Sequence, residues 1–220
     1  MIESLLPVGV AFAEAFSDVS ESTLDPVEAA VIAHAVAKRR REFATVRHCA
    51  RQALGQLGLP SAPVLPGARG APRWPEGIVG SMTHCDGYRA AVVARSGAVH
   101  ALGIDAEPNE PLPETVLRMI AGPEELVMLA KRTAADTAVC WGRLLFCVKE
   151  AVYKAWFPLA HGRLTFRDVS VALVPDGTMA ARLLIAGPEV AAGKLTGFSG
   201  RWLVDRGLIV AVVAVPVKLR

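Results

Sequence analysis

Several signatures are missing from this 220-residue sequence, and each absence removes a class of function. No Walker-type or Rossmann-type glycine run is present, so neither common phosphate-cradling loop organises a nucleotide site. No G-x-S-x-G elbow occurs, and Ser81, His84 and Asp86 lie too close in sequence to converge as a hydrolytic triad. The four cysteines, Cys49, Cys85, Cys140 and Cys147, form no C-x-x-C pair and no Cys/His cluster of zinc spacing. In a chain this large and apolar they read as reduced thiols, which points to the cytoplasm. The first sixteen residues are apolar but carry Glu3 and Glu14 and no Lys or Arg, unlike a signal peptide. The closing run "GLIVAVVAVPV" is too short for a membrane helix, so no membrane role is expected. Aromatic residues are few, at 6%, and basic residues crowd into one stretch, which argues against nucleic acid as a partner.

What remains is a globular composition, 52% hydrophobic and 20% charged, long enough to bury a sizeable core. The formal net charge of +3 permits an anionic partner without demanding one. Asp25-Pro26 reads as a helix N-cap and first-turn pair. Phe43, Val46, Ala50, Leu54 and Leu57 recur at helical spacing and predict a core-facing helix over about 36–57, ended by Gly58 and Pro60. A Pro/Gly-rich stretch, "PSAPVLPGARGAPRWPEG", predicts an ordered loop or lid. Strand patterns follow at 88–95 and 98–105, and "PNEPLP" (108–113) reads as a linker. The order then repeats: a long helix over about 136–157, stopped by Pro158, and strand patterns near 165–174, 179–186, 200–205 and 208–215. The expected fold is therefore α+β. It consists of two halves, 1–107 and 114–220, each a long helix followed by an antiparallel β meander.

Four stretches could carry chemistry. In "LGIDAEP", Asp105 and Glu107 end an apolar strand. Residues two apart on a strand share a face at about 6–7 Å between Cα atoms. Two carboxylates that close repel unless a cation or proton lies between them, and Mg²⁺ takes one or two protein carboxylates together with substrate phosphates. Taken alone, the plainer reading of this tripeptide, a solvated loop with ordinary acids, carries more weight.

In "WGRLLFCVKEAVYKAW", Trp141, Leu145, Val148, Val152 and Trp156 form one apolar stripe. Arg143, Glu150 and Lys154 fall opposite it, within about 40° of one another on a helical projection. Glu150 and Lys154 read either as a surface i,i+4 pair or as a metal carboxylate with a phosphate-binding lysine. Lys149 lies nearer the stripe. In "KRRREFATVRHCAR", six basic residues accompany one glutamate. The projection places Arg40, Arg47 and Arg51 along the edge of the apolar stripe. A run of this kind reads as a solvated face or as a phosphate-binding edge, since guanidinium matches phosphate in bidentate fashion. In "GSMTHCDGYRAAVV", flexible backbone, hydroxyls and His84 suit an anion, and a structural histidine at a strand start suits them equally.

The order of "SMTHCDGYRAAVVA", "LGIDAEP" and "FCVKEAVYKAW" resembles the phosphopantetheinyl transferases of the larger, monomeric type that activates surfactin synthetase. "KRRREFATVRHCARQALGQLG" and "GAPRWPEG" bring it closest to the actinobacterial members. The resemblance spans about 36–160 and extends more loosely to the C-terminus. It implies an α+β pseudo-two-fold arrangement of two similar halves, and a monomer. The reaction it implies moves 4′-phosphopantetheine from coenzyme A to a serine of an acyl, polyketide or peptidyl carrier protein, with Mg²⁺ as cofactor and 3′,5′-ADP as product. On this resemblance Asp105, Glu107 and Glu150 would ligate the metal. Glu150, or a water it activates, would take the serine proton, and Lys154 would stabilise the transferring group. Thr83 and His84 would contact phosphates. Arg39 and Arg47 would hold the 3′-phosphate or adenine end, Arg39 being preferred to Arg40 on motif register. Where relatives place a loop lysine, this chain has Arg69. A Mg²⁺-dependent nucleotide phosphohydrolase and a non-catalytic nucleotide-binding module are the alternative readings.

Overall fold

The computed structural model describes residues 1–190 and 193–217. The chain opens with strand β1 (Ala11–Ala15) and helices α1 (Pro26–Ile32) and α2 (Ala37–Gln56), then strands β2 (Ile78–Cys85), β3 (Tyr88–Arg95) and β4 (Val99–Pro108). Helices α3 (Glu114–Ile120), α4 (Pro123–Ala135) and α5 (Trp141–Ala160) follow. The chain ends in strands β5 (Val169–Leu173), β6 (Thr178–Leu183), β7 (Glu189–Val190), β8 (Gly193–Lys194), β9 (Gly197–Asp205) and β10 (Leu208–Pro216). This is the expected mixed α+β composition. A three-stranded antiparallel sheet runs β1-β3-β2, a five-stranded one runs β4-β10-β9-β6-β5, and β7-β8 is a small hairpin. No helix among the described residues is long and apolar enough to cross a membrane, and all four cysteines are free.

Both long helices form where apolar spacing called for them, and each covers a sheet. The α2 stripe of Phe43, Val46, Ala50 and Leu54 is buried, and Ala50 and Leu54 pack with Ala91 and Val93 of β3. The α5 stripe of Trp141, Leu145, Val148, Val152 and Trp156 is buried against Ile209, Ala211 and Val213 of β10. The opposite faces of β3, β4 and β10 meet in a third core. Tyr88, Ala90 and Val92 pack there with Leu102, Ile104, Val210 and Val212. Strand β3 is thus covered on both faces, which explains its unbroken apolar run. Strand β6 alternates exposed and buried residues, as a strand with one solvated face should.

Two expectations change. Strand β4, read at the end of the first half's meander, pairs along β10 in the larger sheet. Pro158 does not stop α5. It lies in the last turn, where the missing N–H costs one bond, and the helix continues to Ala160 before His161 caps it in the left-handed conformation. The "PNEPLP" stretch is tied down: Asn109 accepts from Cys140 N and donates to the Ala138 carbonyl, while Arg143 donates to the Glu110 and Pro111 carbonyls. The Pro/Gly-rich loop is ordered, as expected. Pro66 pairs with Pro72, and Trp74 Nε1 donates to the Gly80 carbonyl at 2.9 Å.

Candidate active site

Strands β2 and β4 run side by side at the junction of the two sheets without a shared β-ladder among the described residues. Side chains bridge them instead. Ser81 Oγ accepts from Ile104 N at 3.0 Å, and Thr83 Oγ1 accepts from Ala106 N at 3.1 Å. From α5, Lys154 Nζ reaches into the same junction and donates to the carbonyls of Ile104 (3.0 Å) and Met82 (3.3 Å) and to Asp105 Oδ1 (2.7 Å). The helix comes this close because residue 103 is glycine: a Cβ there would run into the Ala151 carbonyl and lie 2.8 Å from Ala155 N. Gly103 therefore brings Glu150 and Lys154 of α5 beside Asp105.

The three acids singled out in the sequence are brought into one region. Asp105 is buried at 6% exposure, which removes the solvated-loop reading. Both of its hydrogen bonds, from Lys154 and from Thr83 (3.1 Å), fall on Oδ1. Its Oδ2 is buried with no hydrogen-bond partner. The fully buried Cys147 thiol lies near this carboxylate and is raised well above the usual thiol range, by burial first and then by the negative charge of Asp105 and Glu107. Glu107 is held by Arg143 Nη1 at 3.1 Å. Burial, and then the charge of Asp105, raises the Glu107 carboxyl above its ordinary range. Glu150 is raised for the same reasons in the same order, with Lys154 opposing and Glu107 adding. Among the described residues no three acidic, His or Cys side chains stand close enough to form a ready metal cage. The carboxylates are neighbours, with Asp105 and Glu107 turned to cations of the chain itself. The i,i+4 pair between Glu150 and Lys154 is absent among the described residues, since Lys154 pairs with Asp105.

A cavity of about 720 Å³ runs from α2 to α5 over β2. Arg39 and Arg47 of α2, Arg69, His84 of β2, and Glu150 and Lys154 of α5 all line it. Motif register outperforms the helical projection here. Arg40 turns away to Glu21 at 2.9 Å, and Arg51 is committed to buried Glu28. Arg47 is buried, its guanidinium 3.5 Å from the centre of the Phe43 ring. Burial brings it down to about 10, with the positive charge of Arg39 and Arg51 adding to the effect. Arg39 Nη1 lies in hydrogen-bond contact with His84 Nε2. Partial burial and then the cations Arg39, Lys154 and Arg89 push His84, whose side chain is still 38% exposed, down to about 4, so its ring is neutral near pH 7 and accepts a hydrogen bond from Arg39. Arg69 sits at φ 54°, a left-handed backbone uncommon for a side chain of its size. It lines both this cavity and a smaller one of about 320 Å³ beside Glu150.

Thr83, expected at a phosphate, does not line the cavity; it is 2% exposed with its hydroxyl committed to Asp105 and Ala106. Lys149 has no place in the site's chemistry. Its ammonium is buried against Glu125 Oε2 (2.9 Å) and the carbonyls of Ile120, Phe166 and Val169. Sequence reasoning missed Arg143 as the partner of Glu107 and Gly103 as the contact that seats α5. The position of Arg143 on the polar face of its helix was the available signal for the first.

The arrangement suits a polyanion: Arg39, Arg47, Arg69 and Lys154 line one cavity together with the partly buried Glu150. Comparison with known proteins agrees. Residues 27–94 match the family model for the 4′-phosphopantetheinyl transferase N-terminal domain, and residues 101–206 match the 4′-phosphopantetheinyl transferase superfamily. The chain is 53% identical to 4′-phosphopantetheinyl transferase Svp of Streptomyces mobaraensis, over 98% of this chain and 89% of that protein. It is 48% identical to 4′-phosphopantetheinyl transferase PptT of Mycobacterium tuberculosis, over 97% of each. The identity is 44% to 4′-phosphopantetheinyl transferase Npt of Nocardia iowensis, over 97% of this chain and 99% of that one. The chain belongs to the 4′-phosphopantetheinyl transferase family, the enzymes that activate carrier proteins.

Proposed function

We propose that the chain moves the 4′-phosphopantetheine arm of coenzyme A to a serine hydroxyl of an apo acyl, polyketide or peptidyl carrier protein, releasing 3′,5′-ADP. The observation that carries this reading is the cavity of about 720 Å³ that joins Arg39 and Arg47 to Glu150 and Lys154. Its size suits a ligand of this class. Arg39 and Arg47 hold the 3′-phosphate end, and His84 and Arg69 follow the pyrophosphate. Glu150, whose burial makes it a stronger base than a free carboxylate, takes the serine proton directly or through a water. The serine oxygen bonds to the phosphorus that carries the pantetheine. The P–O bond of the pyrophosphate breaks, and its electron pair leaves on 3′,5′-ADP. The Lys154 ammonium stabilises the charge that develops there.

The donor set fits a hard cation. Asp105 offers a buried, unpartnered Oδ2, Glu150 has no cation of its own among the described ion pairs, and burial and then the charge of Asp105 raise both Glu107 and Glu150. Asp105, Glu107 and Glu150 would hold Mg²⁺, which supplies neutralisation of the pyrophosphate charge when bound. We read the protein as a cytoplasmic monomer.

The two halves, 1–107 and 114–220 about the 108–113 segment, are read as a pseudo-two-fold pair. A repeated device supports this. Glu28 closes a capping box behind Pro26, pairs with Arg51 of α2 and accepts from Val64 N. Glu125 accepts from the N-cap backbone of Gly122 behind Pro123, pairs with Lys149 of α5 and accepts from Val171 N.

The test is incubation of the pure protein with coenzyme A, Mg²⁺ and a panel of fatty-acid, polyketide and peptide apo carriers, read by intact mass. One phosphopantetheine arm gained on a carrier serine is expected. No gain on any carrier overturns the reading, and release of phosphate without a carrier would instead mark a phosphohydrolase.

A further inference from the structure

Thr83 is one of two buried hydroxyls at the junction of β2 and β4, and the only one of the two bonded to an acid of the site. Its neighbour in this role, Ser81, accepts from Ile104 N at 3.0 Å and has no bond to a carboxylate. Thr83 accepts from Ala106 N and donates to Asp105 Oδ1, both at 3.1 Å. The backbone N–H occupies a lone pair, so the hydroxyl proton is free to point at the carboxylate. Lys154 Nζ bonds the same oxygen at 2.7 Å. With two donors on Oδ1, the carboxylate is fixed in rotation, and Oδ2 is left buried without a hydrogen-bond partner. Lys154 belongs to α5 and faces the cavity, whereas Thr83 sits on the strand and is 2% exposed.

From this geometry we propose that Thr83 is a positioning residue: its hydroxyl orients Asp105 so that Oδ2 is presented to the divalent cation. The proposal rests on the metal site read above. It assigns Thr83 to the metal side of the reaction, with no direct contact to coenzyme A. Partners one bond removed from a metal ligand set its orientation, and their loss typically costs about 10- to 100-fold in metal affinity.

The experiment measures Mn²⁺ binding to the intact chain with coenzyme A by electron paramagnetic resonance, alongside transfer kinetics. The variants are T83V, T83S, S81A and D105N. The expected result is tight binding by the wild type and loss in D105N. T83V should be weakened about 10- to 100-fold, the range for such partners. T83S and S81A should stay near wild type. The Mg²⁺ concentration for half-maximal rate should rise in T83V while KM for coenzyme A holds. The proposal is overturned if T83V binds Mn²⁺ like the wild type, if T83S is as weak as T83V, or if S81A falls equally, which would mark general loosening of the junction. Wild-type-like binding by D105N would overturn the metal site itself, and the role of Thr83 with it. Circular dichroism checks each fold. Should T83V not fold, T83A read against T83S decides the question on the same criteria.

Discussion

Lys149 and Glu150 are adjacent on α5 and do opposite work. The Lys149 ammonium is enclosed by four acceptors, and Lys149 does not line the larger cavity. Glu150 reaches the cavity and has no cation of its own among the described ion pairs. Glu150→Gln should therefore lower carrier modification by about 10²- to 10⁴-fold, the usual worth of a general base. Its urea midpoint should match the wild type, with the two effects read by intact mass and by denaturation. Lys149→Met should do the reverse at the level of stability. It strands the buried Glu125 carboxylate, a loss of about 3–5 kcal/mol in urea unfolding. His84 gives a pH signature. Its folded value of about 4 lies below the ordinary 6.5. Between those values the unfolded chain binds a proton that the native chain refuses, so stability falls as pH drops through the window and is untouched above it. His84→Gln removes that share. Its urea midpoint should fall less than the wild type's between pH 7.5 and pH 5, and parallel curves would show that His84 carries no such linkage.

Among the elements, the contact of α5 on β4 sets the site, and a single glycine permits it. Gly103→Ala would drive a methyl into the Ala151 backbone. Helix and strand must then separate, at about 1–3 kcal/mol for overpacking. Because the same contact seats Glu150 and Lys154 beside Asp105, transfer activity should fall by more than the lost stability explains. Activity measured well below the melting temperature, set beside the denaturation midpoint, tests this. Such contacts also mark what could be read from sequence. The helices α2 and α5 and the strands β3 and β4 were legible because their apolar spacing is strong and local. Strand β1, "AFAEA", is too short and too rich in alanine to announce itself. Strand β2 carries no strand pattern of its own because Gly80, Ser81 and Thr83 serve a junction with β4, and that junction is made by residues more than twenty positions away. The acids, Lys154 and the cavity arginines Arg39 and Arg47 were legible from motif order. The committed hydroxyl of Thr83 was not, because nothing in a strand's own sequence says which neighbour it will have.

For the molecule as a whole, the shared core decides how the two sheets behave. Tyr88, Ala90 and Val92 of the smaller sheet are packed with Leu102, Ile104, Val210 and Val212 of the larger. Neither sheet can leave without exposing the other's apolar face, so the chain should unfold as one cooperative unit. Tryptophan placement offers a clean reading. Of the four tryptophans, only Trp74 precedes β2, while Trp141, Trp156 and Trp202 lie on α5 and β9. In a Trp74→Phe variant the fluorescence reports the second half alone, and its urea midpoint should match the one read by circular dichroism, which reports both halves. Arg51→Met sharpens the test, since it strands Glu28, which is fully buried beneath α2, at about 3–5 kcal/mol. In a cooperative molecule this lesion in the first half lowers the midpoint seen by the tryptophans of the second half by the same amount. In a molecule of two independent halves it moves the Trp74 transition alone. The site draws Arg39 from α2, His84 from β2, and Glu150 and Lys154 from α5, so only the cooperative case keeps the cavity intact at every stability the native chain can have.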